Sequence, residues 1–449
     1  MRAPHVKVNM RVKLGFGIGD LGGNLFFTFI GFYLLYFLTD VLGLSAALAG
    51  TTLMIGKVWD AVTDPVTGYA SDRTISPWGR RRPYIFVGAI ISLLAMYLLF
   101  SISPGQNQMD LFILTTLYFC LLNTAYTLVN IPYTALLPEL TRDYDEKTLL
   151  TAYRMCFAVI GTFVGAAAVM PLVNLFPNEQ TGWTIMASIL GGIMMGTAFI
   201  TVWAIREPQH KKEEVKGHGF FKTYLEALSF KVFLLVLIPW TLFIAGTSMI
   251  QGAMVYYFKY IFKDEASFQL ALVALLSVSL LFIPIWARIS RRISKKNCYN
   301  IGMLILTVAV LLFSFSGGFW PVSSAILIMG FAGIGLSTHY IMPHSILPDV
   351  VEYDAIENNG LRREGVFSGL WTFTSKLGQA LALALNGWIL SLFHYKPDVV
   401  QTPEAIKGIQ LICGPLPALF YITGIFILMR FPINRDFYNK MIHSEEPAS

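Results

Sequence analysis

Two carboxylates lie inside an apolar stretch of the chain. Asp60 and Asp64 belong to the segment 46–70, which is long enough to cross a bilayer as a helix. Helical spacing places them one turn apart on the same face, and Thr63 adds a hydroxyl oxygen beside them. A carboxylate inside a membrane is costly, so such residues usually face a cavity or a partner and mark an ion or substrate path. These oxygens predict a site for a small hard cation or a proton.

A structural alternative exists for the same residues. Lys57 precedes Asp60 by three positions, and together with another buried cation it would merely neutralise the two acids. A purely structural ion pair does not need two acids stacked on one helix face, so the sequence favours the cation site.

The composition defines the class of protein that carries this motif. Of the 449 residues, 55% are hydrophobic and only 13% are charged. A soluble domain cannot bury so much apolar surface, whereas a polytopic membrane protein exposes it to lipid. The net charge of +6 comes from basic residues clustered in short loops, which argues against nucleic-acid binding.

The hydropathy pattern predicts an all-α membrane protein. We expect about twelve transmembrane helices, separated by loops with turn residues. The predicted spans lie near 16–39, 46–70, 83–103, 111–137, 152–175, 183–205, 233–257, 267–288, 299–317, 321–347, 365–393 and 409–430. Basic residues concentrate after the second, sixth and eighth spans, so the positive-inside rule predicts that both termini are cytoplasmic.

The polar segment 206–214 divides the chain into two similar parts. We predict an N-terminal six-helix half at 1–206 that contains the cation site, a cytoplasmic linker at 207–230, a C-terminal six-helix half at 231–432 and a cytoplasmic tail at 433–449. The basic loop after the second span has a weaker counterpart after the eighth, which suggests an internal repeat. Transporters built from such repeats bind substrate near the bilayer midplane and alternate its access.

Several motifs carry a resemblance to a known family. The segment 68–83, with Asp72-Arg73 followed by Gly79-Arg80-Arg81-Arg82, resembles the loop signature of the major facilitator superfamily. More narrowly, the chain resembles the glycoside–pentoside–hexuronide:cation symporters, the group that includes melibiose permease and the sodium-dependent lysophosphatidylcholine symporters. The motifs that carry this narrower resemblance are Asp20 with Asn24, 36–40, 59–65, 130–133, 347–350 and Lys376; the segments 151–155 and 283–286 and the residue Thr63 look closer to the lysolipid branch.

The resemblance implies a cation-coupled symporter with a defined set of cation ligands. The matching positions here are Asp60, Thr63, Asp64 and Thr127. The resemblance favours sodium as the coupling cation. A proton stays open as the alternative, because the family has an asparagine where this chain has Thr63, which keeps one oxygen but loses the amide carbonyl. Arg154 and Lys376 match buried cations of the family, and we expect the aspartates of the second span to be their partners.

The substrate side departs from the sugar pattern. Asn24 and Asn130 stand where melibiose permease has aspartates, although Asp20 lies one turn before Asn24, and Thr134 stands where it has a stacking tryptophan. We therefore expect a lysophospholipid or similar amphiphile, with a glycoside as the alternative. The candidate substrate residues are Asp20, Asn24, Asn130, Thr134, Arg154, Gln251, His344 and Lys376, with Arg154 or Lys376 as the phosphate partner.

Charged residues at the inner ends of the spans predict a cytoplasmic gate. Its candidate members are Asp72, Arg73, Arg80, Arg81, Asp349, Arg362 and Arg363, with a solvated charged loop as the alternative. His339 and His344 lie five residues apart, do not share a helix face and have no ligand neighbours at metal spacing, so we interpret them as core or cavity residues.

The sequence also restricts the energy source and the partners. No glycine-rich phosphate loop and no hydrolase or zinc pattern is present, so we predict neither an ATPase nor an enzyme. We expect no cofactor beyond the coupling cation, Na⁺ or H⁺. The predicted partners are the small-molecule or lysolipid substrate, a monovalent cation and membrane lipids, around a monomer in a bacterial cytoplasmic (inner) membrane.

Overall fold

The computed structural model describes residues 8–141, 144–207, 226–317, 319–357 and 364–433. Within these ranges the chain forms eleven helices of 19 residues or more, one short helix and a final pair of consecutive helices. They are α1 (Met10–Tyr36), α2 (Ala46–Arg73), α3 (Arg82–Phe100), α4 (Gln108–Leu140), α5 (Tyr144–Ala167), α6 (Val169–Val173), α7 (Glu179–Ala204), α8 (Lys231–Tyr256), α9 (Ala266–Ile293), α10 (Lys295–Ser316), α11 (Val322–Glu357), α12 (Glu364–Leu392), α13 (Pro403–Cys413) and α14 (Pro415–Leu428). π-Helical turns extend α1 through Val41 and α8 through Phe262.

Most of these helices are long and apolar enough to cross a membrane. Ten segments of the described ranges meet that description by length and composition. α2 and α12 are not among the ten, although they contain 28 and 29 residues. They are the two helices that carry Asp60, Asp64 and Lys376. The predicted set of about twelve spans therefore consists of apolar helices and two more polar helices that hold candidate site residues.

The chain divides into two compact units. Unit 1 comprises Met1–Glu214 with Pro397–Val399, and unit 2 comprises Val215–Lys396 with Val400–Ser449. Most of the predicted linker 207–230 and of the tail 433–449 lies outside the described residues.

Helix packing follows the same plan in each unit. In unit 1, α1 packs on α5 and α7, α3 packs on α4 and α7, and α2 packs on α4. In unit 2, α8 packs on α12 and α14, α10 packs on α11 and α14, and α9 packs on α11. When the six long segments of each unit are numbered in order, these five pairings are identical. Such a match is what an internal repeat of six helices produces.

Several element boundaries differ from those predicted. The span predicted at 409–430 begins at Pro403 and is broken at Gly414, because Pro415 cannot donate the backbone hydrogen bond that would continue the helix. The span predicted at 152–175 begins earlier and ends at Ala167, before the short α6. The basic segment after the eighth span is almost entirely helical, since only Ser294, with φ of 79°, separates α9 from α10.

Two glycines let α1 and α5 approach closely. A Cβ atom at Gly161 would lie 2.2 Å from the carbonyl oxygen of Leu21, and one at Gly165 would lie 2.7 Å from that of Leu25. Small residues one turn apart on a membrane helix allow backbone-to-backbone packing of this kind. The close contact holds the α5 residues against α1, where Asp20 is located.

We expect Gly161→Ala to destabilise the protein because the new methyl group meets backbone atoms of α1. Overpacking of this kind costs about 1–3 kcal/mol. The matched control is Gly192→Ala on α7, where a Cβ meets nothing within 4 Å, and which should be neutral or stabilising. Thermal unfolding of the purified proteins in detergent measures both; equal melting temperatures for the two variants would contradict the close contact.

Candidate cation and substrate site

The four predicted cation ligands come together between α2 and α4. The Thr127 hydroxyl oxygen lies 2.9 Å from Oδ1 of Asp60 and 3.1 Å from Oδ1 of Asp64. The Thr63 hydroxyl lies 3.3 Å from that of Thr127 and 3.2 Å from the backbone carbonyl oxygen of Asp60. Asp60 is only 1% exposed. A threonine hydroxyl has a single proton, so Thr127 donates to one carboxylate at a time.

Polar side chains fix the register of α2 against α4. The indole N–H of Trp59 donates to the Thr124 hydroxyl at 2.8 Å, and the hydroxyls of Thr52 and Thr116 lie 2.9 Å apart. Gly56 makes the approach possible, because a Cβ there would lie 2.1 Å from the Phe119 ring. These contacts lie near the oxygen cluster and position Thr127 over the two aspartates. Trp59 and Thr124 were not among the predicted site residues.

Lys57 lies beside the cluster. Its Nζ is 4.0 Å from Oδ2 of Asp60 and 5.4 Å from the ring centroid of Phe27. The structural alternative considered from the sequence therefore holds in part, since this lysine is buried next to one of the two acids.

Arg154 forms an ion pair with Asp20, on α1. Its Nη2 donates to Oδ1 at 3.2 Å, and its Nε lies 3.1 Å from Oδ2. The guanidinium also lies 5.3 Å from the ring centroid of Tyr133. The expectation that Arg154 would pair with the aspartates of α2 is therefore wrong for this structure. The physical reason is that α5 packs against α1, which brings Asp20 rather than Asp60 to its side.

The other predicted substrate residues occupy both units. In unit 1 the Asn24 amide donates to the backbone carbonyl of Asp20 at 2.9 Å, and the Thr134 hydroxyl donates to that of Ile131 at 3.0 Å. Asn130 is half-buried on α4. In unit 2, Gln251 on α8 and Lys376 on α12 are half-buried, and His344 on α11 is exposed. The predicted partnership of Lys376 with the α2 aspartates joins residues of different units and stays a prediction.

The predicted gate residues of unit 1 form a charge cluster around the α2–α3 connection. Arg81 contacts Asp72 at 3.1 Å, and both Arg80 and Arg81 contact Glu139. Glu207 accepts hydrogen bonds of 2.7–3.1 Å from the backbone N–H groups of residues 80–82. Sequence reasoning missed both glutamates, because nothing in their local sequence connects them to an arginine loop far away in the chain. Arg73 instead stacks over the Tyr69 ring at 3.7 Å.

The charges of this cluster act on the Arg80 side chain. Burial lowers the pKa of the Arg80 guanidinium, but its hydrogen bond to Glu139 and the charges of Glu139, Asp72 and Glu207 raise it, and the net shift is upward. An arginine is protonated at physiological pH in any case, and these interactions favour the protonated form of Arg80 further.

Unit 2 contains a smaller counterpart. The Nζ of Lys295, at the start of α10, lies 2.8 and 2.6 Å from the two carboxylate oxygens of Asp349, and it also donates to the backbone carbonyl of Ser345. Asp349, a candidate gate residue, is thus paired with a lysine of the basic segment after the eighth span. Arg362 and Arg363 lie outside the described residues.

This architecture defines a class of protein. The membrane-spanning helices form two units with the same pairing plan, and one unit contains a buried oxygen cluster. These are features of secondary transporters. The chain belongs to the family described as MFS/sugar transport protein, which matches residues 15–435. Because the family is defined by transport, the protein is a multi-pass membrane transporter and not an enzyme.

The names of several relatives of this chain refer to different types of cargo. It is 28% identical to the glucuronide carrier protein homolog of Escherichia coli K12, over 97% of this chain and 95% of the relative. It is 29% identical to the isoprimeverose transporter of Lactiplantibacillus pentosus, with coverage of 94% and 88%. It is 26% identical to the sodium-dependent lysophosphatidylcholine symporter 1-A of Danio rerio, with coverage of 96% and 87%.

A solved structure supports the fold. The nucleoside transporter NupG superposes with a TM-score of 0.66 over 94% of this chain and 99% of that chain, at 17% identity. At this identity the similarity establishes the major facilitator fold and nothing about the cargo.

We expect Asp20→Ala to destabilise the protein because it leaves the Arg154 charge without its partner. Breaking a buried ion pair costs about 3–5 kcal/mol. The double variant Asp20→Ala with Arg154→Ala should recover much of that loss, because no charge is then left uncompensated. Equilibrium unfolding of all three variants, compared with wild type, gives the coupling energy. Additive losses would show that the two residues do not depend on each other.

Proposed function

We propose that the protein is a sodium-coupled symporter that binds its cation at Asp60, Thr63, Asp64 and Thr127 and works by alternating access. The observation that carries this proposal is the position of the Thr127 hydroxyl, within 3.1 Å of both carboxylates. Carboxylate and hydroxyl oxygens are ligands for small hard cations. Thr127 stands between Asp60 and Asp64, and a cation bound there would coordinate all four side chains.

Sodium is favoured over a proton by the chemistry of the donor set. Two carboxylates and two hydroxyl groups offer several oxygen ligands to a metal cation, and both carboxylates contact the Thr127 hydroxyl. A sodium ion uses such neutral oxygens as ligands, and a proton does not need them. The alternative, coupling to a proton, is distinguished by transport under a sodium gradient at constant pH.

A lysophospholipid or similar amphiphile with an anionic group is the substrate we infer. Arg154 offers a planar guanidinium that can bind a phosphate or carboxylate through two hydrogen bonds. Its side chain is 21% exposed, so it is reachable although it is paired with Asp20. Lysophosphatidylcholine and a glucuronide, the substrates in the names of two relatives, both contain such an anionic group.

The alternative substrate is a neutral sugar or glycoside. Asn130 is half-buried on α4, one turn after Tyr126, and its amide can pair with hydroxyl groups as donor and acceptor. The name of the isoprimeverose transporter indicates a substrate of this kind, and the family description includes sugar transport.

We expect Asp60→Asn and Thr127→Val each to weaken sodium activation of transport, while Thr127→Ser should retain it. Asp60→Asn removes a charged ligand worth about 3–5 kcal/mol, so half-maximal activation should require more than a hundredfold higher sodium concentration. Substrate counterflow in proteoliposomes at varied sodium concentration measures this effect. The control is Asp110→Asn, an exposed acid in the first turn of α4. An unchanged sodium dependence in Asp60→Asn would refute the cation site.

We expect Arg154→Lys to reduce lysolipid uptake at least tenfold, because lysine keeps the charge and loses the two-pronged hydrogen bonding, worth about 1.5–3 kcal/mol. The control is Arg11→Lys, an exposed arginine near the start of α1. Radiolabelled lysophosphatidylcholine and a methyl glycoside are compared as substrates for Arg154→Lys and Asn130→Ala. Binding of the glycoside that is lost only in Asn130→Ala, without binding of the lysolipid, would establish the alternative.

A further inference from the structure

A row of four aromatic rings lies on the surface of unit 1, where α3 begins and α7 ends. Trp78, in the α2–α3 connection, meets Phe86 of α3 edge-on with ring centroids 5.6 Å apart. Phe86 stacks on Phe199 of α7 at 4.8 Å, and Phe199 contacts Trp203 at 5.8 Å. The two outer rings are exposed, Trp78 by 54% and Trp203 by 64%. We call these four residues the aromatic patch.

The aromatic patch continues into an apolar helix face. On α3 the exposed residues Val87, Ile90, Leu94 and Tyr97 recur at a spacing of three or four, which places them on one face of a membrane-spanning helix. Such a face contacts lipid tails. Tryptophan is enriched at the membrane–water interface, because its ring is apolar and its N–H group is polar. The aromatic patch therefore lies at the level of the lipid head groups, at the end of unit 1 that the positive-inside rule predicts to be cytoplasmic.

Arg82 carries a charge at this level that no carboxylate of the described residues neutralises through an ion pair. Its neighbours Arg80 and Arg81 both form ion pairs with carboxylates. The Arg82 guanidinium instead donates from Nε to the backbone carbonyl oxygen of Val202 at 2.8 Å and from Nη1 to that of Trp78 at 3.2 Å. A carbonyl oxygen is a neutral acceptor, so these bonds fix the position of the guanidinium beside the aromatic patch without neutralising its charge.

Arg206 adds a second arginine at the same edge. It is exposed and follows the end of α7 by two residues. The next residue, Glu207, accepts hydrogen bonds of 2.7–3.1 Å from the backbone N–H groups of residues 80–82, so the chain after α7 lies against the start of α3. Two arginines and two exposed indole rings thus share one edge of unit 1.

We propose that this edge binds an anionic phospholipid of the surrounding bilayer, with its phosphate at Arg82 and Arg206 and an acyl chain along the exposed face of α3. Guanidinium groups bind phosphate through charge-assisted hydrogen bonds, and basic residues at the membrane surface attract anionic lipids. A lipid is favoured over a protein partner, because the aromatic patch continues directly into a face that the membrane covers. The bound lipid is a component of the membrane and not the cargo, so this proposal does not depend on the proposed substrate classes.

Native mass spectrometry of the purified full-length protein measures this binding. The protein is titrated in detergent with phosphatidylglycerol, which is anionic, or with phosphatidylcholine of the same acyl chains, which has no net charge. We expect wild type to bind its first phosphatidylglycerol molecule more tightly than its first phosphatidylcholine. Arg82→Gln and Arg206→Gln should each lower the affinity for phosphatidylglycerol about fivefold, the contribution of one basic residue at an anionic membrane surface, and leave that for phosphatidylcholine unchanged. Trp203→Ala should weaken the binding of both lipids, because the ring contacts a lipid whatever its charge.

The matched control is Arg292→Gln, which removes an exposed arginine from the last turn of α9 in unit 2 and should leave the first binding event unchanged. Arg206 and Trp203 are exposed, so their variants test the site even where the loss of the Arg82 hydrogen bonds lowers stability. The proposal is overturned if wild type binds both lipids equally, or if Arg206→Gln and Arg292→Gln reduce binding equally, which would indicate diffuse surface charge. It is also overturned if Trp203→Ala leaves both lipid affinities unchanged. Conversion of a dimer to a monomer by that substitution, measured by light scattering, would then assign the aromatic patch to a contact between copies of the chain.

Discussion

An ionised group inside a membrane must be compensated by another charge or by several hydrogen bonds, and the arrangement of unit 1 follows from that requirement. Asp60 lies against Lys57 and the Thr127 hydroxyl, and Asp64 lies against the same hydroxyl. Asp20 lies against Arg154. Each of these pairs joins residues of two packed helices or residues one turn apart on the same helix. The helices therefore have to be held at a defined register.

Close packing provides that register. Gly161 and Gly165 bring α5 onto the backbone of α1, and Gly56 brings α2 onto Phe119 of α4. The Trp59–Thr124 hydrogen bond then prevents α2 from sliding along α4. Small residues and hydroxyl groups thus place the charged groups, while the apolar surface of the helices is available to lipid. The same five helix pairings recur in unit 2.

Sequence reasoning identified the helices and the oxygen cluster because both depend on local spacing and on the cost of charge in an apolar segment. The family resemblance added Thr127, which is on another helix. Neither source could pair Arg154 with Asp20, since that pairing depends on which helices are neighbours. Glu139 and Glu207 were missed for the same reason.

The polarity of α2 has a consequence for how the chain enters the bilayer during synthesis. Lys57, Asp60 and Asp64 each oppose partitioning of this segment into lipid by about 2.5–3.5 kcal/mol when they are near the helix centre. During synthesis, α2 exists before its packing partner α4 has been made, whereas α12, the other polar helix, is made after its packing partner α8.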